Sequence, residues 1–125
     1  MNDQSLARMA YSSTSAPIRS HRSIEYDIIA KNSHRIKAAM DRGALGFADF
    51  AAALHENCRL WILLATSVAD PDNELPQALR AQIFYLAEFT MQHSQKVLEG
   101  KATADVLIEI NTSMMRGLRQ EEIFA

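Results

Sequence analysis

The sequence predicts an all-α protein, an antiparallel four-helix bundle with a flexible N-terminal arm. Apolar residues recur every three or four positions in four segments of similar length, as they do on one face of a helix. The connections between these segments are short, which favours antiparallel neighbours. No stretch alternates apolar and polar residues between hairpin turns, so we expect no sheet. We therefore expect an arm over residues 1–20, one helical domain over residues 21–119 and a C-terminal tail over residues 120–125.

The predicted arm is polar and rich in serine. The run Ser12-Ser13-Thr14-Ser15 is followed by Pro17, and the segment shows no helical period. Tyr11 is its one large aromatic residue. Tyr11 could anchor the arm on the bundle; the alternative is an unattached tail.

The first two helices are predicted on either side of a short glycine-containing connector. The first runs from about Ser23 to Met40, and Gly43 marks its end because glycine tolerates the positive φ of a helix stop. The second runs from about Phe47 to Ala69. Its expected buried stripe, at a spacing of three to four, consists of Phe47, Phe50, Leu54, Cys58, Trp61, Ala65 and Val68.

A corner rich in Asp, Asn and Pro is predicted between the second and third helices. Pro71 disfavours the helical region for the residue before it, so the second helix should stop by about Ala69. We expect Asp72 and Asn73 to accept hydrogen bonds from the first amides of the third helix. Pro76 suits the first turn of that helix, where no amide hydrogen is needed.

The last two helices complete the predicted bundle. The third runs from about Leu75 to Glu99 and is followed by Gly100, a typical helix stop. The fourth runs from about Thr103 to Leu118. Both carry apolar residues at helical spacing, so each has one face for a common core.

Composition and charge indicate a soluble, reduced protein. The chain has 125 residues, enough for one domain with a real core, and a net charge of −2. Cys58 is the only cysteine, so no intrachain disulfide can form. The first 18 residues lack the apolar core of a signal peptide. The longest apolar run is six residues, whereas a bilayer span needs roughly 18–20. We therefore expect a cytoplasmic protein without membrane insertion.

No arrangement of residues indicates catalysis or a metal site. His55 and Cys58 are three apart, but no second cysteine or paired histidine lies near them in the sequence. Cys58 lies in an apolar run, which favours a buried structural thiol over a nucleophile. Asp70, Asp72 and Glu74 fit a solvated turn better than a pair of catalytic carboxylates. We expect no enzyme, no metal and no cofactor.

Partner binding remains, because the second and third helices are more apolar than their own bundle requires. A surplus of apolar surface would form a groove for an amphipathic helix of another protein. The alternative assigns Trp61 to the core and the corner to helix capping. The candidate partner-binding residues are Trp61, Leu64, Asp72, Asn73, Leu75, Pro76, Phe84 and Met91.

The N-terminal third of the chain is mildly basic. Its first helix carries Lys31, Arg35 and Lys37, whereas the remainder of the sequence is acidic. A solvated helix face explains these charges without a ligand. No RNA-binding signature or aromatic platform accompanies them, so direct RNA binding is not expected.

The stretch around the corner resembles the FlaF family of flagellar biosynthesis proteins. The resemblance rests on Arg59-Leu60-Trp61, then the segment from Asp70 to Pro76, then Leu79-Arg80. The motifs Ala10-Tyr11, Arg22-Ser23-Ile24-Glu25-Tyr26 and Ile108 to Leu118 resemble the same family. The likeness covers about residues 9–119, and the segment from Met1 to Arg8 precedes the point at which the family usually begins.

This resemblance implies a small cytoplasmic helical protein that is needed for flagellin production and export. It implies flagellin as the partner, with an FlbT-like regulator and the flagellar export apparatus as further ones. Two roles are compatible with it: a flagellin chaperone, or a regulator of flagellin expression that acts on flagellin mRNA directly or through the FlbT-like partner. A homodimer that buries the surplus apolar surface is a third possibility.

Overall fold

The structure, a computed structural model, describes the backbone of residues 21–124 and the side chains of residues 26–117. Over this part of the chain it consists of helices and contains no strand, which confirms the predicted all-α bundle. The predicted N-terminal arm, residues 1–20, lies outside the described residues. The helices are α1 (His21–Asp41), a 3-10 helix (Gly43–Gly46), α2 (Phe47–Ala69), α3 (Gln77–Leu98) and α4 (Asp105–Phe124).

The four α-helices do not contact one another equally. α1 packs extensively against α2 and α4, and α2 also packs extensively against α3. α3 and α4 touch each other only slightly. The order around the bundle is therefore α3, α2, α1, α4, and the edge between α3 and α4 is the loosest of the four.

The helix boundaries agree with the sequence in the first half of the chain and shift in the second. α2 has the predicted bounds. α3 begins at Gln77, because Pro76 is its N-cap with an extended ψ of 144°. α4 begins at Asp105 and continues to Phe124, so residues 120–124 are helical where a tail was predicted.

Two glycines make the tight turn between α1 and α2. Gly43 has a φ of 60°, a conformation that glycine adopts without the steric cost of a Cβ. Gly46 is buried, and a Cβ there would lie 2.4 Å from Ala39 O and 2.9 Å from Arg42 Cβ. The second glycine therefore lets the start of α2 approach the end of α1 closely.

The core contains two apolar clusters, one at each end of the bundle. The corner cluster lies near the α2–α3 connection and consists of Ile29, Leu60, Trp61, Leu64, Val68, Ile83 and Ala87. The far cluster consists of Ile36, Ala53, Leu54, Val97, Ala104 and Leu107. Both clusters include residues from three or more helices, so they hold the bundle together by apolar burial.

The buried face of α2 differs from the predicted stripe. Phe47 is 57% exposed and Cys58 is half-buried, so both lie off the core. The side chain of Asn57, which is 0% exposed, occupies the core line instead. The apolar pattern was misread because a polar residue stands in its centre. The buried residues of α2 are Ala53, Leu54, Asn57, Leu60, Trp61, Leu64 and Val68.

A central polar layer separates the two apolar clusters. Along every helix, the buried polar residues lie between members or neighbours of the corner cluster and members of the far cluster. This layer consists of Asn32, Ser33, Asn57, Thr90, Ser94 and Asn111. All four α-helices contribute to it.

Asn111 is the hub of hydrogen bonds within the layer. Its Oδ1 accepts from Trp61 Nε1 at 2.8 Å. Its Nδ2 donates to Ser33 Oγ at 2.9 Å and to Asn57 Oδ1 at 2.8 Å. Asn57 Oδ1 also accepts from Asn32 Nδ2 at 3.0 Å. These bonds connect α1, α2 and α4 in the middle of the bundle.

Candidate functional site

The structure places two of the predicted partner-binding residues in the interior. Trp61 is 0% exposed and Leu64 is 7% exposed, and both belong to the corner cluster. A protein docked on the outside of this conformation would touch neither side chain. These two residues influence a docking surface only indirectly, because they support the helices that form it.

The predicted corner is held by its own side chains. Asp70 Oδ1 accepts from the Asp72 amide at 2.9 Å. Asn73 Nδ2 donates to Ser67 O, one of the last carbonyls of α2, at 3.1 Å. Asn73 Oδ1 accepts from the Leu75 amide at 3.0 Å. One asparagine therefore ends α2 and shapes the approach to α3.

This geometry corrects the predicted capping of α3. The bond from Leu75 to Asn73 lies two residues ahead of the first helical residue, and α3 has no side-chain cap at its N-cap, Pro76. The side chain of Asp72 is exposed to solvent. The prediction failed because Pro76 itself occupies the N-cap, where its extended backbone leaves both polar residues in the loop.

The predicted corner residues divide between the core and the solvent. Leu75 is half-buried and packs with Leu79 against the corner cluster. Asp72 and Pro76 are exposed, and Asn73 is half-buried. A partner at this end of the bundle could reach Asp72 and Pro76.

Three exposed apolar residues of α3 form a line at a spacing of seven. Phe84 is 43% exposed, Met91 38% and Leu98 43%. Residues seven apart lie nearly above one another on a helix, and Phe84 and Leu98 are about 21 Å apart along the axis. We call these three residues the α3 outer line. Tyr85, beside it, is 65% exposed.

The sequence places these three residues on one apolar line beside the main buried stripe of the third helix, but only two of them were predicted to bind a partner. Phe84 and Met91 were predicted as partner-binding residues, and both are exposed. Leu98 and Tyr85 were not. The spacing of seven from Phe84 to Met91 to Leu98 identifies the line in the sequence, but it does not show whether the line faces the core or the solvent.

Apolar side chains are also exposed elsewhere among the described residues. Ile62 on α2 is 46% exposed, and Leu45 and Phe47 are exposed at the opposite end of the bundle from the corner. They do not form a line at helical spacing with the residues of α3. They therefore serve as comparison positions for any test of the α3 outer line.

The residues considered in the sequence as a possible nucleophile or metal site lie on α2. His55 is exposed and Cys58 half-buried, three residues apart on α2. Among the described side chains, no group of three or more His, Cys, Asp or Glu residues could hold a metal ion. His93 Nε2 donates to Thr103 O at 2.8 Å, and its ring stacks on Phe89, so this histidine ties α3 to the following loop.

No helix within the described part of the chain combines the length and the apolarity that a membrane span requires. On α1, Lys31, Arg35 and Lys37 are all exposed, as expected for a basic, solvated face. Two exposed surfaces are therefore candidates for a functional site: the apolar α3 outer line and the basic face of α1.

Comparison with known proteins agrees with the resemblance seen in the sequence. The model of a protein family described as flagellar protein FlaF matches residues 7–118, which is most of the chain. No curated protein and no solved structure matches the sequence.

Proposed function

Because the chain belongs to the FlaF family of flagellar proteins, we propose that it binds flagellin as a cytoplasmic chaperone and supports flagellin synthesis and secretion. The observation that carries this proposal is the α3 outer line. Each of its three large side chains exposes roughly two fifths of its surface to water. A helix packed beside them could bury this exposed surface.

A helix of the partner would complete the contact. Apolar residues at a spacing of seven match the seam between two packed helices, so the complementary ligand is an amphipathic helix of about four turns. Flagellin would supply this helix. Tyr85, with an apolar ring and a polar hydroxyl, suits the edge of such an interface.

The proposed mechanism is shielding. An amphipathic helix of flagellin that is exposed in the cytoplasm offers an apolar face on which other flagellin molecules can assemble. Binding to the α3 outer line removes that face from water until the export apparatus receives the pair. No bond is made or broken, so the protein acts by occupancy alone.

Binding measurements with one double variant and one single-residue control test the proposal. Phe84→Ser with Met91→Ser removes the centre of the α3 outer line and should weaken binding of purified flagellin at least tenfold by calorimetry. The control is Ile62→Ser, which removes an apolar side chain of similar exposure from α2. Equal flagellin affinity in all three proteins would contradict docking on α3, and no binding by the parent would contradict the chaperone role.

A regulator of flagellin expression is the second candidate. The exposed Lys31, Arg35 and Lys37 on α1 favour it, because clustered cations attract the phosphates of flagellin mRNA or an acidic surface of an FlbT-like partner. Reversing all three to Glu should abolish retention of the mRNA or of the FlbT-like protein. Unchanged retention would exclude this role for the basic face.

A measurement of molecular mass distinguishes the third possibility, a homodimer, from a monomer. If the α3 outer line pairs with a second copy, light scattering should give twice the 14.0 kDa of the chain, and Phe84→Ser with Met91→Ser should restore the monomer. A monomer in both cases leaves the line free for flagellin. A stable dimer that ignores flagellin would contradict the chaperone proposal.

A further inference from the structure

Two atoms of the central polar layer have no hydrogen-bond partner among the described residues. They are Asn57 Nδ2 and Thr90 Oγ1. Asn57 is 0% exposed and Thr90 is 1% exposed, so bulk water reaches neither. Native structures rarely leave such groups unpaired, because burial without a hydrogen bond costs free energy. We therefore expect both atoms to have a partner in the folded protein.

The packing places these two residues in the same layer of the bundle, between the two apolar clusters. On α2, Asn57 lies between Leu54 of the far cluster and Leu60 of the corner cluster. On α3, Thr90 likewise lies between a member of the corner cluster and a member of the far cluster. α2 and α3 pack extensively against each other, so the two side chains enter the same layer from adjacent helices.

We propose that one internal water molecule joins Asn57 to Thr90. Asn57 Nδ2 donates to the water oxygen, and the water donates to Thr90 Oγ1. One group is a donor and the other can accept, so the bond polarity is consistent. A buried water with two or more polar partners is a normal part of a protein interior, and it joins groups too far apart for a direct bond.

This water would extend the hydrogen-bond network of the central polar layer to α3, whose polar residues lie in the layer without a bond to the other helices among the described residues. The hydrogen bonds described above connect α1, α2 and α4, whereas Thr90 and Ser94 of α3 are bonded to each other alone, through Ser94 Oγ and Thr90 O at 2.6 Å. With the water, a chain of bonds runs from Asn111 through Asn57 to Thr90. Every α-helix of the bundle then takes part in one network.

The bridge would also fix the rotation of α3 about its own axis. Turning α3 by one residue, about 100°, would bring Met91 inward in place of Thr90. Apolar burial alone favours methionine over threonine in the core. The water bond opposes that rotation and keeps Phe84, Met91 and Leu98 on the surface. This role is independent of whether flagellin is the partner.

Thr90→Val tests the proposal, because the direction of its effect on stability depends on whether the Thr90 hydroxyl is bonded. Valine has the shape of threonine but cannot accept the hydrogen bond. The unfolding equilibrium constant from urea denaturation should rise about five- to tenfold, because the water and Asn57 Nδ2 lose their acceptor. If the Thr90 hydroxyl is instead unpaired, the same substitution removes an unsatisfied group. Unchanged or increased stability would then overturn the proposal.

Ser94→Ala is the matched control. It removes a buried hydroxyl from the same face of α3, but one that is satisfied within its own helix. Its unfolding equilibrium constant should change by no more than about twofold, because the higher helix propensity of alanine offsets the loss of this intrahelical bond. A control loss equal to that of Thr90→Val would mean that α3 is sensitive to any polar change, and would contradict a specific bridge.

A high-resolution crystal structure of the unaltered chain gives a second, independent test. A water oxygen within about 3 Å of both Asn57 Nδ2 and Thr90 Oγ1 would support the proposal. A direct bond between the two atoms, or a side chain filling the space between them, would overturn it.

Discussion

At the residue scale, Trp61 combines two interactions that substitutions can separate. Its ring is fully buried in the corner cluster, and its Nε1 donates to Asn111. Trp61→Ala should lower the free energy of unfolding by about 3–5 kcal/mol, because it removes the largest buried side chain. Trp61→Phe should cost less, about 1–3 kcal/mol, since most of the ring remains but the hydrogen bond is lost.

Urea denaturation followed by circular dichroism measures both variants. The informative result is whether Trp61→Ala loses more free energy of unfolding than Trp61→Phe. If Trp61→Ala unfolded at the same urea concentration as the parent, the ring would not be packed in the core, and the corner cluster would be wrong.

Asn111 offers a sharper test of the central polar layer. Asn111→Ala leaves Trp61 Nε1 without an acceptor and removes both bonds that Asn111 Nδ2 donates. We expect a loss of about 3 kcal/mol in the free energy of unfolding. Ser113→Ala, an exposed position two residues away on α4, should change stability by no more than about 0.5 kcal/mol. Similar losses in the two variants would contradict a buried network.

The sequence could not predict this layer. Asn32, Asn57 and Asn111 each interrupt an apolar stripe, and such an interruption is visible in the sequence. Their partners are not, because Asn111 bonds to a serine 78 residues away and Asn57 to an asparagine 25 residues away. Apolar periodicity alone therefore assigned the core of α2 to Phe47 and Cys58, which the structure places outside it.

At the element scale, the α2–α3 corner depends on one of the two polar residues predicted to shape it. Asn73→Ala removes the bonds to Ser67 O and to the Leu75 amide, and should lower the free energy of unfolding by about 1 kcal/mol. Asp72→Ala, the adjacent exposed position, should change it by less than about 0.5 kcal/mol. Thermal denaturation of both variants measures the difference. Equal effects would mean that the asparagine does not order the corner.

The turn between α1 and α2 depends on close approach at Gly46. A Cβ at this position would meet backbone, Ala39 O at 2.4 Å, which cannot move without displacing α1. Gly46→Ala should therefore cost about 1–3 kcal/mol of unfolding free energy. Gly117→Ala is the control, because its Cβ meets open space and alanine favours helix. Equal stability of the two variants in urea would show that the turn can relax.

The bounds of α2 were predictable because chemistry marks both of its ends. The 3-10 helix stops at Gly46, and the pair Asp70-Pro71 cannot continue a helix. The start of α3 was placed two residues too early, because Pro76 was assigned to the first turn although it occupies the N-cap. Proline fixes φ at both positions, so only ψ distinguishes them, and the sequence does not report ψ.

At the scale of the whole molecule, the core alternates apolar, polar and apolar along the bundle axis. A buried polar layer contributes less stability than apolar packing, but it restricts the helices to one register. Replacing Asn32, Asn57 and Asn111 together by Leu, which has a similar shape, should lower the urea midpoint less than Asn111→Ala does, because the added apolar burial offsets part of the cost of leaving Trp61 Nε1 and Ser33 Oγ unpaired. The same variant should give a broader amide NMR spectrum, because several helix registers become similar in energy.

A single set of sharp resonances from that triple variant would contradict this role for the layer. The structure would then be specified by its apolar clusters and turns alone. The Asn111→Ala variant provides the comparison, since it removes polar groups without replacing their volume and should be both less stable and uniquely folded.

The antiparallel bundle was predictable from four apolar repeats and short connections, but its unequal packing was not. Four helices of similar length suggest four similar edges, whereas α3 and α4 touch only slightly. The bonds of Asn111 tie α4 to α1 and α2, and no comparable bond ties it to α3 among the described residues. Of the predicted partner-binding residues, those that pack inward, Trp61 and Leu64, could not be separated by sequence from Phe84 and Met91, because all four are large and apolar.

Trp61 is the single tryptophan of the chain, and it sits on the hub of the central polar layer. The protein therefore carries an intrinsic fluorescent probe, whose emission wavelength depends on whether the indole stays buried and hydrogen-bonded to Asn111. Any process that loosens the middle of the bundle should shift that emission to longer wavelength without an attached dye. A ligand that covers only the exposed side of α3 should leave the emission wavelength unchanged. Tryptophan fluorescence therefore distinguishes docking of a ligand from opening of the bundle.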